Sequence, residues 1–209
     1  MNKKLLEKII IDTKKDPIIK WNNKSLLSII DNDVTFSSYI YNKENISGYF
    51  ALLHNLVSNL SDDAVIVELG NREGLGIISM YDALKENQTL YTLDIVDDVR
   101  FVIDEIKDDK RVHIMNDFNS LNEGKVGEVF ETKSIDLIFF DTIHTYEQVS
   151  SEYRVWQQYL KDDCVLLIDD IRDIQDDRTK WKFHEELEMN KYDLTDWAHA
   201  RTGFGVYLK

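Results

Sequence analysis

Val65-Ile66-Val67-Glu68-Leu69-Gly70-Asn71-Arg72-Glu73-Gly74-Leu75-Gly76 is the stretch whose reading decides the fold. The apolar run 65–69 reads as a buried strand that carries one acidic side chain, Glu68, near its end. Gly70 and Gly74 then make a turn, and an apolar helical pattern starts at Leu75. Glycines in such a turn let the backbone approach a bound group with no Cβ in the way. The helix N-terminus beyond offers N–H groups that lack intrahelical partners. Strand, glycine turn and helix together read as a cofactor cradle. The glycine spacing G-x-x-x-G-x-G differs from the G-x-G-x-x-G of dinucleotide-binding folds.

Working outward, the chain alternates strand and helix. Ile46, Tyr49, Phe50, Leu53, Leu56, Val57 and Leu60 recur at helical spacing, which predicts a helix over 46–60. Strands are expected over 64–69, 89–95, 111–115, 135–140 and 164–168. Helices are expected over 75–86, 98–107, within 121–131, and over 146–160. The strands are continuous apolar runs, as a parallel sheet covered on both faces demands. The tail reads as a helix over 181–189 and two strands, 192–198 and 203–208, closing as a hairpin. The expected fold class is therefore α/β, a Rossmann-like doubly wound and mostly parallel sheet.

Residues 1–45 are rich in Lys, Asn, Asp and Ile, and hold the chain's one proline, Pro17. They read as an N-terminal helical extension outside the βα repeat: a cap or lid, a homo-oligomer contact, or a tether. Residues 46–209 form the expected main domain. The net charge of −14 disfavours sequence-independent binding to nucleic acid and points to a small-molecule partner. Cys164 lies in an apolar run and reads as a buried core thiol, which agrees with a reducing cytoplasm. No segment approaches the length of a membrane span.

In open α/β sheets, ligands sit beyond the carboxyl ends of the strands. The second strand ends in Asp94, a little over 20 residues past Gly70, where an acid accepts ribose hydroxyls. The third ends in Asn116-Asp117-Phe118, the fourth in Asp141-Thr142-Ile143-His144, the fifth in Asp169-Asp170. Asp-Asp pairs alone mean little, because the chain has six of them, beginning at 62, 97, 108, 162, 169 and 176. The informative pair directly follows the apolar run 165–168. Asp141, Asp169 and Asp170 converging at one edge would repel one another unless a cation neutralised them. A hard divalent ion such as Mg²⁺ suits this oxygen set better than zinc.

The segment Glu68-x-Gly70-x-x-x-Gly74 resembles motif I of class I S-adenosylmethionine-dependent methyltransferases. Asp141-x-x-His144-x-Tyr146-Glu147, then an amphipathic helix, then a strand ending in Asp169-Asp170 resembles their metal-dependent O-methyltransferase subfamily, which includes enzymes acting on sugars of macrolides and other glycosides. The resemblance covers about 46–209 and implies an antiparallel last strand. It assigns Glu68, Gly70, Asn71, Gly74, Asp94, Asp117, Phe118 and Asp141 to S-adenosylmethionine. It assigns Asp141, Asp169 and Asp170 to Mg²⁺, and the general base to His144. The implied reaction is methyl transfer to a hydroxyl of a small molecule or glycoside. One departure stands out. The family often has glycine after the aspartate matched to Asp141, and this chain has Thr142, so a less tight turn is expected.

Other readings remain. The same fold without metal would use the carboxylates to bind an amine or orient substrate. A non-haem iron oxygenase would need two histidines and a carboxylate, for which His184, Glu186 and His199 are the local match. A binding protein that kept the fold without the chemistry is the fourth. His54 and His113 fall inside predicted elements and read as structural. Trp21, Trp181 and Trp197 read either as stacking surfaces for an acceptor or as core.

Overall fold

The computed structural model describes residues 1–17, 19, 21–22, 26, 48–72, 74–97, 104–172, 180–198 and 202–209. In chain order the elements are α1 (Lys3–Lys15), α2 (Gly48–Asn59), β1 (Val65–Leu69), α3 (Leu75–Asp82), β2 (Thr89–Leu93), α4 (Asp104–Lys107), β3 (Val112–Met115), α5 (Glu123–Val129), β4 (Ile135–Phe140), α6 (Tyr146–Trp156), β5 (Leu160–Asp169), α7 (Trp181–Glu186), β6 (Asn190–Asp193), α8 (Thr195–Ala198) and β7 (Phe204–Leu208). The seven strands form one sheet in the order β3-β2-β1-β4-β5-β7-β6. β1 to β5 run parallel, and β7 is antiparallel to both β5 and β6. The Rossmann-like sheet and its antiparallel closing strand are as the sequence predicts.

Alternation along each strand feeds two cores. Val165 and Leu167 of β5 join the layer under α1, α2 and α3, while Leu166 and Ile168 join the layer under α5, α6 and α7. Each face is thus apolar, and the run 165–168 has no residue left for water. Leu6, Ile9 and Ile10 of α1 are buried in the first core.

Several element ends differ from expectation, each because of a specific contact. α3 stops at Asp82 rather than 86: the Asp82 carboxylate accepts the Asn22 backbone N–H at 2.9 Å, and its carbonyl accepts the Asn22 side-chain amide at 3.0 Å. β5 starts at Leu160, inside the stretch predicted as helix, because Leu160 pairs with Ile135 and the Lys161 ammonium meets Asp136 at 2.8 Å. α7 ends at Glu186, where the Lys191 ammonium takes the His184 and Glu185 carbonyls, both at 2.8 Å. The strand expected over 192–198 ends at Asp193. The Asp193 carboxylate accepts the Thr195 backbone N–H at 2.9 Å and turns the chain into α8. Ile46 and the first part of the helix expected over 98–107 lie outside the described residues.

Candidate active site

Register builds the site. Leu93 and Phe140 flank Leu69, Met115 flanks Leu93 and Ile168 flanks Phe140, so these five residues form one row across the sheet. The next residue on each strand stands at the carboxyl edge: Gly70, Asp94, Asn116, Asp141 and Asp169. Backbone bonds carry the alignment one step further. Gly70 N–H donates to the Leu93 carbonyl at 2.8 Å, and Asp141 N–H to the Leu69 carbonyl at 2.8 Å.

The glycine turn is tight for identifiable reasons. Gly70 has φ +87°, and a Cβ there would lie 2.0 Å from the Asp141 carbonyl oxygen. A Cβ on Gly76 would lie 1.9 Å from a Glu68 carboxyl oxygen, so this glycine makes room for the acid against α3. Gly74, with φ +97°, forms the α3 N-cap. Glu68 sits opposite Thr92 and accepts its hydroxyl at 2.8 Å. Burial, aided by the neighbouring Asp141 and Asp94, pushes the Glu68 carboxyl up to about 8. The Asn71 side chain is buried, and among the described residues neither its amide nitrogen nor its oxygen has a hydrogen-bond partner. An orphaned buried amide is costly, and a ligand in the turn is one way to satisfy it. The Asp94 carboxylate accepts the Arg72 and Val96 N–H groups, both at 3.0 Å.

Asp117 and Phe118 come beside Asp94. Phe118 N–H donates to the Asp94 carbonyl at 2.8 Å, its ring is buried in the second core, and Asp117 is exposed. Arg72, Asp117 and Asp170 all adopt left-handed backbone, with φ of 43°, 57° and 53°. Such conformations are sparse for residues other than glycine, and here three of them fall on the loops of one edge.

His144 lies between Asp141 and Asp170. Its Nδ1 contacts the Asp170 carboxylate directly, and its Nε2 is 3.8 Å from Asp141 Oδ1. Asp141 and Asp170 together hold the imidazole up at about 9, so it is cationic at neutral pH. Two further side chains complete the cluster, and neither was expected from sequence. The Tyr49 hydroxyl is driven well above its ordinary range by burial first, then by Asp169, Asp141, Asp170 and Glu68, which all act on it. Its ring stacks on Phe204 at 5.2 Å. Lys180 is fully buried, and its ammonium donates to the Asp169 carbonyl at 2.9 Å. Tyr49 read as one more member of an apolar helical stripe, and Lys180 carried no signal at all. Among the described residues, no three His, Cys, Asp or Glu side chains are arranged to hold a metal ion as they stand.

The remaining histidines are placed elsewhere. His54 Nε2 meets the Asp82 carboxylate at 3.0 Å. His113 stacks on Tyr91 at 4.6 Å. His184 Nδ1 bonds the Tyr207 hydroxyl at 2.6 Å, while Glu186 accepts the Tyr146 hydroxyl at 2.7 Å. His184 and Glu186 are thus committed to separate partners, and His199 lies outside the described residues. Trp181 stacks on His184 and carries the Arg172 guanidinium 4.2 Å from its ring centre. Trp197 covers Gly48, and Trp21 packs against the first core.

A family model described as a methyltransferase domain matches residues 67–171, just over half of the chain. No curated protein matches the chain significantly in sequence. Solved structures do match. An O-methyltransferase from Bacillus cereus, in complex with S-adenosylhomocysteine, aligns at TM-score 0.66 and 15% identity over 97% of this chain and 99% of that one. The O-methyltransferase TomG of tomaymycin synthesis from Streptomyces achromogenes, in complex with S-adenosylmethionine, aligns at 0.63 and 14%, over 100% and 98%. The methyltransferase PaMTH1 from Podospora anserina, bound to S-adenosylhomocysteine, aligns at 0.59 and 12%, over 100% and 97%.

Proposed function

The chain belongs to the methyltransferase domain family, and from that premise we propose that it carries the methyl group of S-adenosylmethionine to a hydroxyl oxygen of a small molecule or glycoside. The observation that carries this reading is one shared edge. The glycine turn with its orphaned Asn71 amide and the Asp141–His144–Asp170 cluster stand side by side on the same strand ends. A donor site and an acceptor site must adjoin for a single displacement.

S-adenosylmethionine, when bound, supplies a methyl group on a cationic sulfur. The chain's own residues do the rest. The Gly70 turn would hold the methionine portion, Asp94 would accept ribose hydroxyls, and Phe118 and Asp117 would hold the base. Asp141 and Asp169 give the site a negative potential that favours a sulfonium. As general base, His144 has to release the proton that Asp141 and Asp170 stabilise on it before it takes the acceptor's, and the same two carboxylates fix its ring.

The donor chemistry of Asp141, Asp169 and Asp170 fits a hard divalent cation, and these residues would hold Mg²⁺. Bound there, Mg²⁺ would lower the pKa of the acceptor hydroxyl. A second reading is favoured by a specific contact: His144 already spans Asp141 and Asp170 as a cation. In that reading the imidazolium neutralises the carboxylates and no metal is needed.

Calorimetry with S-adenosylmethionine tests the first premise, and micromolar binding is expected. Replacing Asp169 and Asp170 by Ala is then expected to abolish methyl transfer to glycoside and catechol acceptors while cofactor binding persists. Activity that survives EDTA selects the metal-free reading. Absence of cofactor binding under all conditions would sink methyl transfer altogether.

A further inference from the structure

Thr142 stands where the family pattern often has glycine, and its hydroxyl has a specific use. Thr142 Oγ1 donates to Glu152 Oε2 at 2.8 Å. Glu152 lies on α6 and is fully buried. Its other oxygen accepts the Ser120 hydroxyl at 2.7 Å and the Gln148 side-chain amide at 2.8 Å. One turn along, the Trp156 indole N–H donates to the Ser120 carbonyl at 2.9 Å. Gln148, Glu152 and Trp156 follow one another at intervals of four, so they share one face of α6. That face grips Ser120 by both side chain and main chain, and Thr142 by its side chain.

The two gripped residues belong to different loops. Ser120 follows Asp117 and Phe118 on the loop after β3. Thr142 sits between Asp141 and His144 on the loop after β4. A fully buried carboxyl group with three donors on two oxygens leaves little slack: when one donor leaves, the group re-aims and the other donors follow. We infer that Glu152 is a positioning residue that couples the loop flanking the cofactor's base to the loop carrying Asp141 and His144. It acts through Ser120 and Thr142, and touches neither cofactor nor acceptor. The functional half of this inference rests on the methyltransferase reading; the mechanical half does not.

The test compares Thr142→Val, which removes the hydroxyl, with Thr142→Ser, which keeps it, and adds Ser120→Ala and the Thr142→Val/Ser120→Ala double variant. Thermal melts establish that each is folded. Calorimetry with S-adenosylhomocysteine reads the coupling. Thr142→Val is expected to weaken binding about fivefold, Thr142→Ser to match the parent, and the double variant to weaken it by less than the product of the singles. Amide hydrogen exchange reads the same coupling with no ligand present. Residues 116–122 should exchange faster in Thr142→Val, and residues 142–148 faster in Ser120→Ala. Multiplicative binding effects, or exchange that changes only on the mutated loop, would overturn the coupling. A parent protein that does not bind S-adenosylhomocysteine would count against the methyltransferase reading, and exchange alone would then decide whether Glu152 couples the loops.

Discussion

Glu68 is an acid whose environment works against its charge. Its carboxyl is buried, and its held proton reflects that burial more than the Thr92 hydrogen bond, which favours the charged form. The consequence for stability has a definite direction. In the unfolded chain this group loses its proton near its ordinary value of 4.5, and in the folded protein only near 8. Between those two values the folded state binds the extra proton, so stability falls as pH rises from about 4.5 to about 8 and levels off above it. Replacing Glu68 by Gln removes this contribution. Denaturant melts of parent and Glu68→Gln across that window should show a stability difference that moves steadily in favour of the Gln variant as pH rises. A difference that stays flat would mean that Glu68 is ionised in the free protein.

At the scale of elements, helix ends are fixed by contacts from distant sequence. The end of α3 is satisfied by Asn22 and by His54 of α2, both through Asp82. Replacing Asp82 by Ala should destabilise the protein by about 2–4 kcal/mol, because it strands a buried His and a backbone N–H. Urea melts measure it, and a loss under about 0.5 kcal/mol would show that the segment near Asn22 contributes no stability through α3. The same contacts explain what the sequence could and could not tell. β1 and β4 were legible nearly to the residue, because a doubly covered strand is a continuous apolar run. Lys161-Asp162-Asp163 has the composition of a turn, so the first half of β5 was not legible; its pairing depends on Ile135 and Asp136, far back in the chain. The site divides likewise. Gly70, Asp94, Asp141 and Asp169 were readable because each is the residue next after an apolar run. Tyr49 and Lys180 were not, since they come from outside the βα repeat, and the Tyr49 ring reaches the edge by packing against Phe204 of β7 and Phe139 of β4.

The whole molecule carries 39 acidic against 25 basic side chains, a net −14. The strand edge adds Asp94, Asp141, Asp169 and Asp170 to that field at one place, with His144 and Lys180 as cations beside them. Such a potential acts on the charge of a ligand rather than on its shape, and it acts over distances that salt screens. S-adenosylmethionine and S-adenosylhomocysteine differ by one methyl group and by the positive charge on sulfur. Contacts to adenine, ribose and the amino-acid portion are common to both, so a comparison between them isolates the field. Raising the salt from about 10 mM to about 150 mM, which shortens the screening length from roughly 30 Å to roughly 8 Å, should weaken binding of the sulfonium compound more than that of the neutral thioether. Calorimetric titration of both ligands at the two salt concentrations gives the ratio of their dissociation constants directly. A ratio that does not move would mean that the sulfonium is recognised only by close contacts, and that the acidity of the surface serves something other than the cofactor.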